Sequence, residues 1–179
     1  MVFPTDTVYG LACNAFHAGA VEKVYRVKGR SYTKPLPVFL SDVEQLSLVA
    51  MNILPEARSL TEAFWPGALT LVFKTAPLAL HAMRGKSTIA VRIPKILLVS
   101  ELMRALPFPL AVTSANASGR SSIKRGGQAR KMFDKKVDVI IDAGDCALGK
   151  ESTIVDVTHF PFSVLREGAV PKQKILEAL

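Results

Sequence analysis

Three hydroxyls and a carboxylate crowd into one short stretch near the start of the chain, Pro4-Thr5-Asp6-Thr7-Val8-Tyr9-Gly10-Leu11. The stretch reads as the end of a buried strand running into a loop. A loop that only connects two elements rarely concentrates this much polar chemistry. Asp, Thr and Gly also serve turn geometry and local backbone hydrogen bonds, so the stretch alone leaves both readings standing.

Further sets of cations and hydroxyls recur where strands are expected to end: Lys28/Arg30/Lys34, Thr88/Arg92, Ser114/Asn116/Ser118, Ser122, Ser152/Thr153 and Arg166. Open α/β sheets place ligands at such strand ends. Cations combined with hydroxyl and amide donors suit a triphosphate and a carboxylate together. Any one of these residues also reads as a capped turn or a solvated side chain; the whole set is harder to explain that way.

Other chemistries find less support. Gly144 to Lys150 imitates the GxxxxGK of a P-loop, but Glu151 follows where Ser or Thr is needed. The segment after it also reads as a strand, whereas a P-loop feeds a helix. Gly85-Lys86-Ser87 lacks the upstream glycine, since position 80 is Leu. No GxGxxG, GxSxG or HExxH pattern occurs, and covalent catalysis has no obvious nucleophile. Cys13 and Cys146 form no CxxC and read as reduced thiols. His17, His81 and His159 lack metal-ligand spacing.

The elements that must position these residues alternate. Helices are predicted over Ala18 to Val27, from a capping pattern at Ser41–Glu44 to Ala50, from Pro55 to Trp65, over Ile96 to Ala105, around Gln128 to Phe133 and over Pro171 to Leu179. Gly29 breaks the first helix and leaves Arg26, Lys28 and Arg30 at its C-terminal end. Strands are predicted over Lys34–Leu40, Ala68–Phe73, Thr88–Ile93, Leu110–Thr113, Val137–Asp142, Ser152–Val157 and Ser163–Arg166. Ala76 to Lys86 reads as a loop. The alternation, with strands clustering near the end, predicts an α/β fold with a twisted mixed parallel/antiparallel sheet and flanking helices.

At 179 residues, 49% of them hydrophobic, the chain suits one domain spanning 1–179. No apolar run is long enough for a membrane span and no secretory signal is visible. The formal charge of +8 points to an anionic partner such as nucleotide, RNA or a phosphate-bearing substrate. Seven Lys or Arg against one acid, Asp134, between Arg120 and Lys136 also fit a double-stranded RNA or tRNA surface.

PTDTVYGL, KGR with KPLPVFL, WPGALTLVF, TIAVRIP, AVTSANASG, ESTIVDV and VLREGAV occur in the order seen in the YrdC-like family, the threonylcarbamoyl-AMP synthases called TsaC in bacteria. The chain resembles that family from position 3 to about 171. The resemblance implies a sheet around a basic concave cavity. It also implies condensation of L-threonine, bicarbonate or CO2, and ATP with Mg2+ to threonylcarbamoyl-AMP and pyrophosphate. A separate tRNA threonylcarbamoyl-transferase complex would then modify tRNA, in the cytoplasm or, with a lost leader, in mitochondria. Carried over by position, Thr7, Arg92, Val112 and Ser152 are expected at threonine. Arg30, Lys34, Thr88, Ser114, Ser122 and Arg166 are expected at ATP. Lys28, Arg30, Ser114 and Asn116 form the expected catalytic set, with no protein metal ligand. A non-catalytic RNA-binding module and a related carbamoyl-transferring enzyme are the alternatives.

Three departures from the family pattern stand out. The family's usual N-terminal helix and the start of its first strand do not precede PTDTVYGL. Phe39 stands where many bacterial relatives carry His. The extra C-terminal domain of longer relatives does not follow VLREGAV.

Overall fold

The structure, a computed structural model, describes residues 1–80 and 85–179. His81 and part of the loop expected between Ala76 and Lys86 therefore lie outside the described residues. The strands are β1 (Val2–Phe3), β2 (Gly10–Asn14), β3 (Val38–Phe39), β4 (Ala50–Met51), β5 (Leu69–Thr75), β6 (Thr88–Arg92), β7 (Leu110–Ser114), β8 (Thr153–Asp156) and β9 (Ser163–Arg166). The helices are α1 (Ala18–Lys28), α2 (Leu46–Val49), α3 (Pro55–Phe64), α4 (Pro77–Leu80), α5 (Leu97–Arg104), α6 (Gly126–Phe133) and α7 (Lys172–Glu177).

Among the described residues the strands form one sheet in the order β1-β2-β7-β3-β6-β5-β8-β9, with β4 also on β5. Two of the pairings, β3 with β6 and β5 with β8, are parallel, and the others are antiparallel. The expected mixed α/β sheet is what forms.

The alternation of side chains across a strand divides the sheet into two faces of different use. Leu11, Val38, Ala111, Val91, Leu71 and Val155 fall on one face and join the main hydrophobic core with Val21, Val24 and Tyr25 of α1 and Ala57 and Leu60 of α3. Ala12, Val112, Leu110 and Phe39 fall on the other face, where Val99 and Met103 of α5 cover them in a smaller cluster. That second cluster leaves the rest of its face open, and the cavity described below occupies it.

Helix ends follow local chemistry. His17 Nδ1 accepts from the Ala20 N–H at 3.1 Å to cap α1. Gly29 ends α1 in the left-handed region, φ 65°, where glycine carries no Cβ penalty. Pro55 occupies the first turn of α3.

Several sequence expectations change. The segment from Ala76 is not all loop, because Pro77–Leu80 forms α4. Strand β2 carries no local signal, because GLACN lacks the β-branched enrichment that marks strands. Tertiary pairing makes it a strand: all five of its residues register with β7. Its Gly10 lets β7 approach, since a Cβ there would meet Val112 Cγ1 at 3.0 Å. Val137–Asp142 does not form a strand. It makes one isolated parallel bridge to Val2, through the Val2 N–H to Val139 O and the Ile141 N–H to Val2 O, both 2.8 Å. The two-residue β1 offers no longer ladder. Of Lys34–Leu40, only Val38–Phe39 enters the sheet, since Pro35 and Pro37 have no N–H to give. The helix expected from Ser41 shrinks to α2. The expected cap residues instead lie in the turn before it, where Asp42 Oδ1 accepts from the Gln45 N–H (3.1 Å) and Gln45 Oε1 from the Ser41 N–H (3.1 Å), and the N-cap residue of α2, Gln45, makes no side-chain cap bond.

Candidate functional site

The cavity has a volume of about 150 Å³ and lies where the opening loop, 4–9, crosses the open part of the second sheet face. Register explains its lining. Phe39 pairs with Arg92, Thr70 with Ile154 and Gly10 with Ser114, and all six line it. Val112 lies two residues from Ser114 on the same face of β7 and lines it too. Arg30, Glu151, Ser152 and Arg166 complete the wall from the loop after α1, from the two residues before β8 and from β9.

Thr5 shapes the loop. Its hydroxyl donates to Val8 O at 2.7 Å and accepts from the Thr7 N–H at 3.1 Å. A hydroxyl has one proton, so the 2.9 Å contact between the Thr5 and Thr7 oxygens carries the Thr7 proton. Thr7 Oγ1 also accepts from Arg92 Nη1 at 2.9 Å. Thr7 therefore presents a remaining lone pair, an acceptor, to the cavity.

Arg92 holds this loop on the sheet. Its Nε donates to Gly67 O (2.8 Å) and its Nη2 to Asp6 Oδ1 (2.6 Å). The Arg92 and Asp6 side chains are 4% and 7% exposed, and the guanidinium stands 5.5 Å from the centre of the Phe39 ring. Burial lowers the Arg92 pKa and Asp6 opposes that shift. A buried ion pair repays its desolvation only with good geometry and further hydrogen bonds, which Gly67 and Thr7 supply here. Asp6 Oδ2 is buried with no hydrogen-bond partner among the described residues. Across the cavity Thr70 Oγ1 and Ser152 Oγ share a hydrogen bond of 2.8 Å.

Lys28 is 4% exposed and does not line the cavity. Its Nζ donates to Ser114 O and Asn116 Oδ1, both 2.5 Å, and approaches Ser114 Oγ at 3.2 Å. Ser114 Oγ in turn donates to Asn116 Oδ1 at 2.8 Å. The lysine thus locks the turn after β7 so that Ser114 faces the cavity. Its acceptors are all neutral, and burial, then Arg30, pushes its pKa down to about 8. Arg30 is steered by carbonyls, Nε to Lys34 O and Nη2 to Pro35 O, both 3.0 Å. Burial lowers its pKa as well.

Arg166 reaches back from β9. Its Nε and Nη2 donate to Ser152 O at 3.2 and 2.8 Å, and its Nη1 pairs with Glu151 Oε2. Ser122 donates to Glu151 Oε1 at 2.7 Å.

Of the residues singled out in the sequence, Thr7, Arg30, Arg92, Val112, Ser114, Ser152 and Arg166 line one cavity. Lys28 and Asn116 stand one layer behind it, and Ser122 touches it through Glu151. Of the positions assigned to a substrate, two are not brought in, and Ser118 and Thr153 also lie outside the lining. Thr88 shares the face of β6 with Arg92 but lies outside the lining. The exposed Lys34 contributes its carbonyl, which accepts from Arg30 and from Tyr25 Oη at 3.0 Å. Sequence reasoning marks Thr5 and Asp6 as part of a polar loop without giving either a role, and it passes over Thr70 and Glu151. Glu151 is legible only as the neighbour of Ser152. Thr70 sits in the apolar run WPGALTLVF, where a lone Thr is an ordinary strand residue.

The family model for Sua5, YciO and YrdC proteins, which carries the description "Telomere recombination", matches residues 1–168. A protein of Pyrococcus abyssi named threonylcarbamoyl-AMP synthase is 38% identical over 176 residues, covering 98% of this chain and 52% of that protein. A Mycobacterium tuberculosis protein named putative threonylcarbamoyl-AMP synthase is 38% identical over 180 residues, covering 100% of this chain and 82% of its own length. The crystal structure of P. abyssi Sua5 complexed with L-threonine superposes with a TM-score of 0.96 at 37% identity, covering 99% of this chain and 53% of that one. The chain thus spans about half the length of the Pyrococcus relative.

Proposed function

The chain belongs to the Sua5/YciO/YrdC family, and on that premise we propose that it is an L-threonylcarbamoyladenylate synthase. It would condense L-threonine, bicarbonate or CO2, and MgATP to threonylcarbamoyl-AMP and pyrophosphate. The observation that carries this reading is the meeting of two chemistries in one cavity. Its lining combines a hydroxyl-rich set, Thr7, Thr70 and Ser152 with Arg92, and a set suited to phosphate, Arg30, Ser114 and Arg166. The solved relative named as complexed with L-threonine supports the amino acid as the ligand of the first set.

The Thr7 oxygen, an acceptor, suits the amine or hydroxyl of the amino acid. The two Arg92 N–H groups not aimed at Gly67, Thr7 or Asp6 suit its carboxylate. Val112 and Phe39 give the methyl group an apolar wall. The amine attacks CO2, or bicarbonate once activated, forming an N–C bond and releasing a proton to solvent. A carbamate oxygen then attacks the α-phosphate, and the bond to the β-phosphate oxygen breaks as pyrophosphate leaves. No enzyme nucleophile is needed. The protein's task is to hold three substrates in line and to meet developing charge with fixed donors. Arg30 and Arg166 would be the donors for that, and Lys28 and Asn116 hold the Ser114 hydroxyl, whose proton goes to Asn116 Oδ1. Mg2+ enters with the triphosphate, the usual way this ion is held. The product, a mixed anhydride, calls for a separate activity that passes the threonylcarbamoyl group to tRNA.

Pyrophosphate release from ATP, measured with and without L-threonine and bicarbonate, tests the proposal. Release strictly dependent on both is the expected result. ATP turnover indifferent to threonine would remove the assigned substrate. No turnover together with steeply salt-dependent binding of double-stranded RNA would favour the non-catalytic module.

A further inference from the structure

Glu151 is a carboxylate seated among donors that the proposed nucleotide site would use for phosphate. Its Oε1 takes the Ser122 hydroxyl proton at 2.7 Å, and its Oε2 pairs with Arg166 Nη1. It is close enough to Lys28 and Arg30 to oppose the burial that lowers both pKa values. Ser122 has one proton to donate. While Glu151 holds it, no phosphate oxygen can. A polyphosphate arriving at Ser122 and Arg166 also meets a like charge at contact range, which repels it strongly.

Displacement is feasible on the geometry. The Arg166 and Glu151 side chains are 42% and 38% exposed, and exposed ion pairs contribute little net stability. The backbone is anchored independently: Glu151 O accepts from the Ala169 N–H at 2.8 Å, and Ser152 O accepts from Arg166. Only the Glu151 side chain has to turn.

We propose that Glu151 is a resident anion that competes with the polyphosphate for Ser122 and Arg166. Tethered to the chain, it sits at a high effective concentration. Single-charge anions such as bicarbonate or an amino-acid carboxylate do not dislodge it, whereas a triphosphate, with several charges and the reach to Arg30, does. Glu151 then returns to both donors as pyrophosphate departs. The inference rests on reading this cavity as a nucleotide site.

Calorimetric titration of ATP, inorganic tripolyphosphate and adenosine into the parent and Glu151→Gln tests it. Gln keeps the length and an accepting oxygen and removes the charge. The expected result is that ATP and tripolyphosphate bind Glu151→Gln about tenfold more tightly while adenosine is unchanged. Glu151→Ala should move tripolyphosphate in the same direction, and it decides the matter if the Gln variant folds poorly. If ATP binds the parent and binds both variants equally or more weakly, the competition is overturned and the nucleotide reading survives. If tripolyphosphate alone binds, and tightens in the variants, the competition holds and the nucleotide reading falls. If neither ligand binds any of the proteins, both fall.

Discussion

Lys28 is a buried cation whose three shortest contacts are to neutral oxygens of Ser114 and Asn116. With its pKa pushed down to about 8, it carries its charge below that pH and loses it above. Threonine-dependent pyrophosphate release should therefore fall as pH rises through about 8, and Lys28→Arg should hold activity to higher pH. A falling limb at the same pH in both proteins would assign it to another group. Stability moves the other way. Between about 8 and the unperturbed value of 10.5 the folded lysine binds fewer protons than the unfolded one. Its contribution to stability accordingly rises with pH across that window, so loss of activity there is not unfolding. Arg30 and Ser152 separate the two proposed substrates. Arg30→Ala should raise the KM for ATP and leave that for threonine nearly unchanged. Ser152→Ala should raise the KM for threonine by a factor of roughly 2 to 10, the worth of one ordinary hydrogen bond. Steady-state kinetics with each substrate varied would reveal a reversed or absent split.

At the scale of elements, the site depends on how the turn after β9 meets the start of β8. Thr153 is fully buried. Its hydroxyl donates to Val170 O at 2.5 Å and accepts from the Gly168 N–H at 2.9 Å and the Val170 N–H at 3.1 Å. A Cβ on Gly168 would stand 2.2 Å from Glu151 O and 2.4 Å from the Ser152 carbonyl carbon. These are backbone atoms and cannot step aside as a side chain can. Gly168→Ala should cost about 1–3 kcal/mol of stability, the usual range for overpacking. It should also lower activity by shifting Glu151 and Ser152. Denaturant melts and kinetics on the same protein check both, and an unchanged midpoint would show that the turn yields. Gly126, at the start of α6, is a contrasting case. A Cβ there would stand 1.6 Å from Oδ1 of Asp142, which is a side-chain atom. That carboxylate also accepts from Tyr9 Oη at 3.4 Å and the Gly144 N–H at 3.2 Å.

Across the whole molecule, charge and cavity are separate features. The chain carries +8, yet the cavity wall mixes Arg30, Arg92 and Arg166 with Glu151, and Asp6 is paired to Arg92. Much of the excess lies instead between Arg120 and Lys136, including exposed Arg130 and Lys131 on α6. Reversing both, as Arg130→Glu with Lys131→Glu, should leave threonine-dependent pyrophosphate release within about twofold, because exposed charges far apart are screened by salt. The same variant should weaken any binding of double-stranded RNA and flatten its salt dependence. A large loss of turnover would join this surface to the reaction. No described helix is long and apolar enough to cross a membrane.

Local patterns in the sequence were enough for most helices and for β5 to β9, because apolar periodicity and Gly or Pro punctuation act over a few residues. The motif order identified the family, and seven of the expected site residues proved to share one cavity. Other features were settled only by tertiary structure. Whether GLACN is a strand depends on β7 lying beside it, and whether Val137–Asp142 is one depends on how little of β1 is available. The roles of buried side chains were equally non-local. Lys28 serves Ser114 and Asn116 across 86 and 88 residues of sequence, and Arg92 holds Asp6 across 86. In the opening loop, types and spacing announced polar chemistry. Which hydroxyl braces the turn and which faces the cavity followed from one proton: Thr5 spends its own on Val8 O, and that leaves the Thr7 oxygen to accept.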